Sequence, residues 1–240
     1  MAKMKALSYR AKLLIILALW WLVWAYKPWF FSDWLLENAL TVVSVTYLIF
    51  TRNSFRLSNL SYTLIFIFLC FHTLGAHYTY AEVPYETWTH AVGFSINNFF
   101  GFTRNHFDRL VHFLFGFLLA YPVREIFLRV ANVKGAWGYY LPLDVVMSFS
   151  MLYELIEWAA SILVGGDLGM AYLGTQGDIW DAHKDMGLAS LGAFLAMTIV
   201  ALVNRHYQRD FAREFSESLR VKKATPLGEV ELKKLKGERG

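Results

Sequence analysis

This sequence of 240 residues contains a single cysteine. One cysteine supports neither a disulfide framework nor a thiolate-rich metal site. Cys70 lies in the middle of a long apolar run, and we interpret it as a packed apolar side chain. The sequence also lacks an internal repeat, a low-complexity tract and a glycine-rich phosphate loop, which argues against repeat architectures and P-loop nucleotide binding.

Charged residues are scarce, at 18% of the chain, whereas 56% of the residues are apolar and 18% are aromatic. A soluble core of this length needs less apolar material, so the composition predicts an all-α, polytopic transmembrane helical bundle. Several runs approach the ~20 apolar residues that cross a hydrocarbon core of ~30 Å. We predict six spans, at 13–31, 35–50, 60–77, 110–128, 141–164 and 186–203.

The first run leaves an alternative open. Basic residues precede it (Lys3, Lys5, Arg10 and Lys12), as they precede the apolar part of a signal peptide. No small-residue cleavage pattern follows, and bulky aromatic residues crowd the end of the run. We therefore interpret it as a retained span.

The distribution of charge predicts an orientation, because basic residues in short loops stay mainly on the cytoplasmic side. With the N-terminus inside, 19 of the 23 lysines and arginines lie on the inner side. The outer side then holds 11 of the 19 acidic residues, Asp167 among them. We predict that both termini are cytoplasmic, with a membrane domain at 1–206 and a charged cytoplasmic tail at 207–240. An odd number of spans would place one basic end outside.

The longest loop, residues 78–106, lies on the predicted outer side. Its segment 87–103 has no formal charge but carries a histidine, two asparagines and two glycines. We assign this segment to an interfacial or re-entrant element rather than a seventh span. The mixed charges of the tail favour a solvated extension, so the expected partner is the lipid bilayer and not nucleic acid.

Ionisable residues inside spans are costly and usually face the protein interior or a wet cavity. Asp108 and His112 are four residues apart at the outer end of the fourth span and share a helical face. Glu154 and Glu157 share a face in the outer half of the fifth span. In contrast, we interpret His72 and His77, in the third span, as interface or core residues.

Three aspartates lead into the last span, in the stretch "GTQGDIWDAHKDM". Asp178, Asp181 and Asp185 are spaced i, i+3 and i+7, so an early helix start would place them on one stripe. With a later start, Asp181 is a natural N-cap. In both cases three successive spans bring carboxylates to the same depth, which predicts one outward-facing acidic pocket.

These acids cannot all remain ionised at low dielectric without a compensating cation. A divalent metal would supply the charge; carboxylates suit Mg, Mn or Ca, and an added imidazole suits Zn. In this interpretation the metal ligands are His112, Glu154, Glu157, Asp181 and Asp185. A second interpretation stays open, in which Arg109 and Lys184 neutralise part of the cluster.

The motifs "YTYAEVPY", "RNHFDRLVHFLFG", "YELIEW" and "GTQGDIWDAHKDMG" together resemble the YjdF-like family of bacterial inner-membrane proteins, whose function is not established. The likeness covers about residues 78–192 and implies a location in the bacterial cytoplasmic membrane. More distantly, the order of acidic residues is similar to that of VanZ-like proteins, some of which are associated with glycopeptide antibiotic resistance. Glu157 stands where that pattern has a glutamine.

Two functions of different classes follow. The first is a metal-dependent hydrolase or transferase that acts on a lipid or lipid-linked envelope precursor, although no serine or cysteine nucleophile stands at a motif spacing from a base. The second is a non-catalytic binding or transport protein whose pocket holds a cation, protons or a lipid headgroup. The candidate catalytic residues are Asp108, His112, Glu154, Glu157, Asp178, Asp181 and Asp185.

Overall fold

The computed structural model describes residues 7–165, 175–208, 210–222 and 226–237. Within these ranges the regular elements are helices and no strand occurs, in agreement with the predicted all-α class. Lys3, Lys5 and Asp167 lie outside the described residues. The helices are α1 (Tyr9–Ala25), α2 (Phe31–Thr51), α3 (Asn59–His77), α4 (Tyr85–His90), α5 (Ile96–Phe100), α6 (Phe107–Val130), α7 (Trp137–Val164), α8 (Asp181–Tyr207), α9 (Phe211–Ser218) and α10 (Leu227–Leu235).

Five helices in the described part of the chain are long and apolar enough to cross a membrane: α2, α3, α6, α7 and α8. They correspond to the last five of the six predicted spans. The first predicted span was too long, because α1 has 17 residues and ends at Ala25, whereas Phe31 already begins α2. Lys27 has a positive φ of 50° and Pro28 follows it. A proline disfavours helical backbone in the residue before it, so the helix cannot continue through this pair.

Helix α6 lies at the centre of the bundle. It packs most extensively against α8 and also contacts α3 and α7, while α3 carries α1 and α2 on its other sides. Small residues allow the close approach of α6 and α8: Ala189 and Ala193 of α8 are fully buried against it. A Cβ atom added at Gly116 of α6 would collide with the carbonyl oxygen of Ala189. Helices in lipid commonly associate in this way, through backbones brought together by small residues.

The contact at Gly116 leads to a stability prediction. We expect Gly116→Ala to lower the unfolding temperature in detergent, with a cost of about 3 kcal/mol, because backbone atoms of α8 must move to admit the methyl group. Gly187→Ala on α8 is the matched control, since its added Cβ meets no atom within 4 Å. This control should be neutral or slightly stabilising. Equal unfolding temperatures for the two variants would contradict the close packing of α6 and α8.

The loop between α3 and α6 contains two short helices, α4 and α5, and no helix of spanning length. Glu86 joins them, because its carboxylate accepts hydrogen bonds from the Ser95 hydroxyl at 2.5 Å and the Asn97 backbone N–H at 3.0 Å. The loop is tied to α6 as well, since the Tyr85 hydroxyl accepts from the His106 backbone N–H at 3.1 Å. The segment 87–103 is therefore a folded part of the loop.

Part of the charged tail also contacts the membrane helices. The Glu214 carboxylate accepts a hydrogen bond from the Gly135 N–H at 3.1 Å, and the Ser218 hydroxyl accepts from the Ala136 N–H at 2.9 Å. Helix α9 is thereby held against the loop between α6 and α7. The division into a membrane domain at 1–206 and a tail at 207–240 stays a prediction.

Candidate functional site

Three of the predicted site residues lie close enough to share one ion. Asp108 and His112 lie in the first two turns of α6, and Asp185 lies in the second turn of α8. Their ligand atoms are all within 4.8 Å of one another. The close packing of Gly116 on Ala189, one turn further along each helix than His112 and Asp185, supports this arrangement.

Helix α7 adds the two glutamates to this group. Glu154 Oε1 is 3.5 Å from His112 Nε2, which is itself 3.6 Å from Asp108 Oδ1. Glu157, one turn further along the same face of α7, lies beside Glu154. It is also within electrostatic range of Asp108 and Asp185. We call Asp108, His112, Glu154, Glu157 and Asp185 the acidic cluster.

The acidic cluster contains buried oxygen atoms without a hydrogen-bond donor. Among the residues that the structure describes, Asp185 Oδ1 and Glu154 Oε1 are buried and accept no hydrogen bond. Asp185 is only 2% exposed. A buried carboxylate oxygen without a donor is energetically costly, so such atoms require an explanation. A cation or a proton at this position would remove the cost.

Asp181 has a different environment from the rest of the predicted pocket. Its Oδ1 accepts hydrogen bonds from the Arg104 guanidinium and, at 3.1 Å, from the Arg109 guanidinium. Asp181 is 5% exposed, so these are largely buried charge-assisted contacts. The predicted metal ligand Asp181 therefore already has cationic partners, and we leave it out of the ligand set proposed below.

Asp178 belongs to the same arginine-linked group. Its Oδ2 accepts from Lys184 Nζ and from Arg109 Nη2, both at 2.6 Å. Neutralisation by Arg109 and Lys184 was the second interpretation of the sequence, and it describes Asp178 and Asp181 well. Arg104 was missed, because nothing local in the sequence connects it to residues more than 70 positions away.

The start of α8 differs from both alternatives drawn from the sequence. The helix begins at Asp181 with Trp180 as its N-cap. Asp178 therefore precedes the helix, and its Oδ1 accepts a hydrogen bond from the Trp180 backbone N–H at 3.1 Å. Gln176 and Gly177 have positive φ angles, so no right-handed helix extends back through these two residues. The three aspartates consequently divide between two environments.

The contacts of Asp178 predict a pH dependence. The hydrogen bonds from Lys184 and the Trp180 N–H hold the pKa of Asp178 well below its ordinary value of about 3.9. A carboxyl group with a lowered pKa stabilises the fold above its unfolded pKa and loses that contribution as the pH falls through its folded pKa. The difference in unfolding temperature between the wild type and Asp178→Asn should therefore be constant from pH 7 to 5 and shrink below about pH 4. A constant difference down to pH 3 would contradict it.

A second polar network adjoins the acidic cluster from the side of α2 and α3. The Glu37 carboxylate accepts hydrogen bonds from the Tyr153 hydroxyl at 2.8 Å and the Tyr80 hydroxyl at 3.4 Å. His72 donates from Nε2 to the Glu37 carbonyl oxygen at 3.1 Å, and its Nδ1 lies 2.5 Å from the Tyr80 hydroxyl. Glu37 and Tyr153 were absent from the predicted site. The sequence does show that Glu37 is an acidic residue within an apolar helix. Its partners could not be read from the sequence, because they come from three separate parts of the chain.

An apolar cavity of about 260 Å³ lies between the acidic cluster and this network. Asp108 and His112 stand on one wall, and His72, Tyr80 and Tyr153 contribute polar atoms elsewhere. Apart from Ser150, the remaining lining is apolar and comes from α2, α3, α6 and α7 (Leu40, Phe68, Val111, Phe115, Phe149, Leu152 and Ile156). The cavity thus presents hydrocarbon walls next to a group of carboxylates and an imidazole.

Comparisons with known proteins agree with this architecture. Residues 9–206 match the family described as "Predicted membrane protein (DUF2238)". The chain belongs to this family. It is also 38% identical over 181 residues to the inner membrane protein YjdF of Escherichia coli (strain K12), a match that covers 75% of this chain and 81% of that protein. No solved structure matches the chain.

Membership of the family confirms the YjdF-like resemblance that the four sequence motifs carried. With five helices of spanning length, the chain is a multi-pass protein of the bacterial inner membrane, and its surroundings are the lipid bilayer. The more distant likeness to VanZ-like proteins gains no support from these comparisons and stays a prediction.

Proposed function

We propose that Asp108, His112 and Asp185, joined by Glu154, bind one divalent metal ion. The observation that carries this proposal is the convergence of the first three residues, whose ligand atoms lie within 4.8 Å of one another. Ligands 2.1 Å from a common ion are at most ~4.2 Å apart, so small side-chain rotations suffice to form the site. One imidazole with several carboxylates suits Zn, Mn or Mg.

The charge of the site supports a cation. The acidic cluster holds four carboxyl groups near one imidazole, while the neighbouring arginines are already paired with Asp178 and Asp181. Two of its buried carboxylate oxygens lack a donor in the described part of the chain. A divalent ion would compensate both features at once, since bound cations are often the largest local charges in such sites.

The cavity supports a lipid as the substrate. A hydrocarbon chain fits its apolar walls, and the attached polar group would then meet Asp108 and His112. We propose a hydrolase or transferase that acts on a lipid or lipid-linked envelope precursor. A metal in the cluster would polarise the bond to be broken and lower the pKa of a bound water. Glu157, beside the ligand Glu154, would accept the proton of the attacking water and return it to the leaving group.

The topology that accompanies this function has six spans and both termini in the cytoplasm. Helix α1 has 17 residues, a length of ~25 Å, and joins the five longer helices as the first span. The excess of lysine and arginine on one side supports this orientation. In this orientation the acidic cluster, Arg104 and Arg109 lie near the outer surface of the inner membrane, where envelope precursors are processed.

A second candidate is a non-catalytic protein that binds a cation or protons. The observation that favours it is the network of Glu37, Tyr80, His72 and Tyr153, because it extends the titratable groups from the acidic cluster across the bundle to α2. Chains of such groups within membranes carry protons in pumps and transporters.

Metal analysis of the detergent-purified protein tests the proposal. We expect about one divalent ion per chain, and removal by a chelator should lower the unfolding temperature, because a ligand bound to the native state stabilises it. Protein without metal, and unchanged by chelator, would overturn the metal site. If metal is present, mass spectrometry of bacterial lipids incubated with the metal-loaded protein distinguishes turnover from binding alone. Bound metal without any lipid product would favour the second candidate.

A further inference from the structure

A long apolar groove lies between α1 and α2, and no residue of the acidic cluster lines it. Both helices pack on α3, and a wedge stays open between them. Cavities of about 350 Å³ and 240 Å³ occupy this wedge. Leu14, Leu17 and Val45 line both cavities, so the two form one continuous groove. We call it the α1–α2 groove.

One end of the α1–α2 groove is basic. Arg10, in the first turn of α1, and Arg52, directly after α2, both line it there. Arg10 donates to the Arg52 carbonyl oxygen at 3.2 Å, which holds the two residues at the same place. Within the described ranges neither arginine forms an ion pair with a carboxylate, unlike Arg104 and Arg109 at the opposite ends of the helices. Two arginines without a carboxylate partner in the described residues therefore line the mouth of an apolar groove, and the Arg10 guanidinium lies over the Tyr62 ring.

The length of the groove matches one leaflet of a bilayer. It extends along α1 from Arg10 to Trp21, which are eleven residues or ~16 Å apart along the helix axis. Half of a ~30 Å hydrocarbon core is ~15 Å. The polar groups of Ser8, Asn53 and Tyr62 lie at the basic end, whereas the rest of the groove is almost entirely apolar. The basic end of the groove therefore suits the charged headgroup of a phospholipid, and its apolar part suits an acyl chain.

We propose that the α1–α2 groove binds one anionic phospholipid from the leaflet on the N-terminal side of the protein. Its phosphate contacts Arg10 and Arg52, and one acyl chain fills the groove up to Trp21. Basic pockets between membrane helices bind anionic headgroups in this manner. The lipid also fills the space between α1 and α2, which both pack on α3 and meet each other where Trp21 donates to Asn38 Oδ1 at 2.6 Å. The inference does not depend on the proposed metal site.

Native mass spectrometry of the full-length protein tests this site. The delipidated protein is titrated with phosphatidylglycerol, which is anionic. In a separate titration it receives phosphatidylethanolamine, which is zwitterionic and has the same acyl chains. We expect the double variant Arg10→Gln/Arg52→Gln to bind phosphatidylglycerol about 30-fold more weakly than the wild type, from two lost basic contacts. Its affinity for phosphatidylethanolamine should fall less, because the ammonium of that headgroup already offsets the charge of the phosphate. Glycerol 3-phosphate, which lacks the acyl chains, should not compete.

Lys12→Gln/Arg56→Gln is the matched control, because both side chains are exposed, lie on the same side of the membrane and are absent from the groove lining. This control should stay within about threefold of the wild type. Ala18→Trp fills the end of the groove near Trp21 and leaves both arginines in place. It should weaken both lipids. Equal losses in the two double variants, no preference for phosphatidylglycerol in the wild type, or a second protein copy bound in place of lipid would each overturn the proposal.

Discussion

Asp185→Asn is expected to remove the bound metal from an otherwise folded protein. Asp185 is the most buried carboxyl group of the acidic cluster, and one of its oxygens has no hydrogen-bond donor in the described residues. An asparagine keeps the shape but loses the negative charge and one ligand oxygen. Because replacement of an outer-shell partner already lowers metal affinity 10–100-fold, loss of a direct ligand should cost at least about 100-fold. The measurement is metal content after purification, followed by titration of the metal-free protein.

Asp144→Asn is the control for this variant. Asp144 lies exposed near the beginning of α7, at the opposite end of the helix from Glu154. The Asp144→Asn variant should retain the full metal content and the wild-type unfolding temperature. Glu157→Gln provides a third comparison: under the proposed mechanism it keeps the metal and loses turnover, because Glu157 handles the proton and is not a ligand. Retention of wild-type metal affinity by Asp185→Asn would refute the proposed ligand set.

Arg104→Gln/Arg109→Gln is expected to lose most of the folded protein. The two guanidinium groups are about 17% and 16% exposed and are the cationic partners of Asp181, whose side chain is 6% exposed. Removal of one side of a buried ion pair costs ~3–5 kcal/mol, because the remaining charge stays buried and uncompensated. Partial exposure of the arginines places the expected effect near the lower limit, about 3 kcal/mol. Folded yield and unfolding temperature in detergent measure it.

The same experiment has an internal rescue. Asp178→Asn/Asp181→Asn in the background of the arginine variant removes the orphaned charges and should restore a large part of the stability. Arg213→Gln is the matched control, because its pair with Glu217 on α9 is well exposed and should leave the unfolding temperature almost unchanged. If the combined variant is no more stable than the arginine variant, the pairing does not stabilise the fold.

The site residues on α6 and α7 could be predicted from the sequence, because the spacing of neighbouring residues along each helix is enough to identify them. Asp108 with His112, and Glu154 with Glu157, share helical faces through the 3.6-residue period. Their predicted depth follows from the distance to the end of an apolar run, and their predicted common side follows from the charge bias of the loops. The structure brings all four side chains together with Asp185.

The partition of the aspartates could not be predicted in the same way. Whether Asp181 faces a metal or an arginine depends on the position of Arg104, which is 77 residues away and belongs to the loop before α6. The role of Glu37 similarly depends on Tyr80 and Tyr153, which are 43 and 116 residues away. Such contacts follow from how helices pack, and composition or periodicity carries no information about them.

The sequence by itself determined that this protein is helical, lies in a membrane and carries acidic residues in its apolar helices, since these properties depend on local hydropathy and charge. Tertiary structure alone decided which acids face one another and which face arginines. It did so through Gly116, Ala189 and Gly192, whose small size brings the backbones of α6 and α8 together and so sets the register of their first turns. The open wedge between α1 and α2 likewise results from both helices packing on α3.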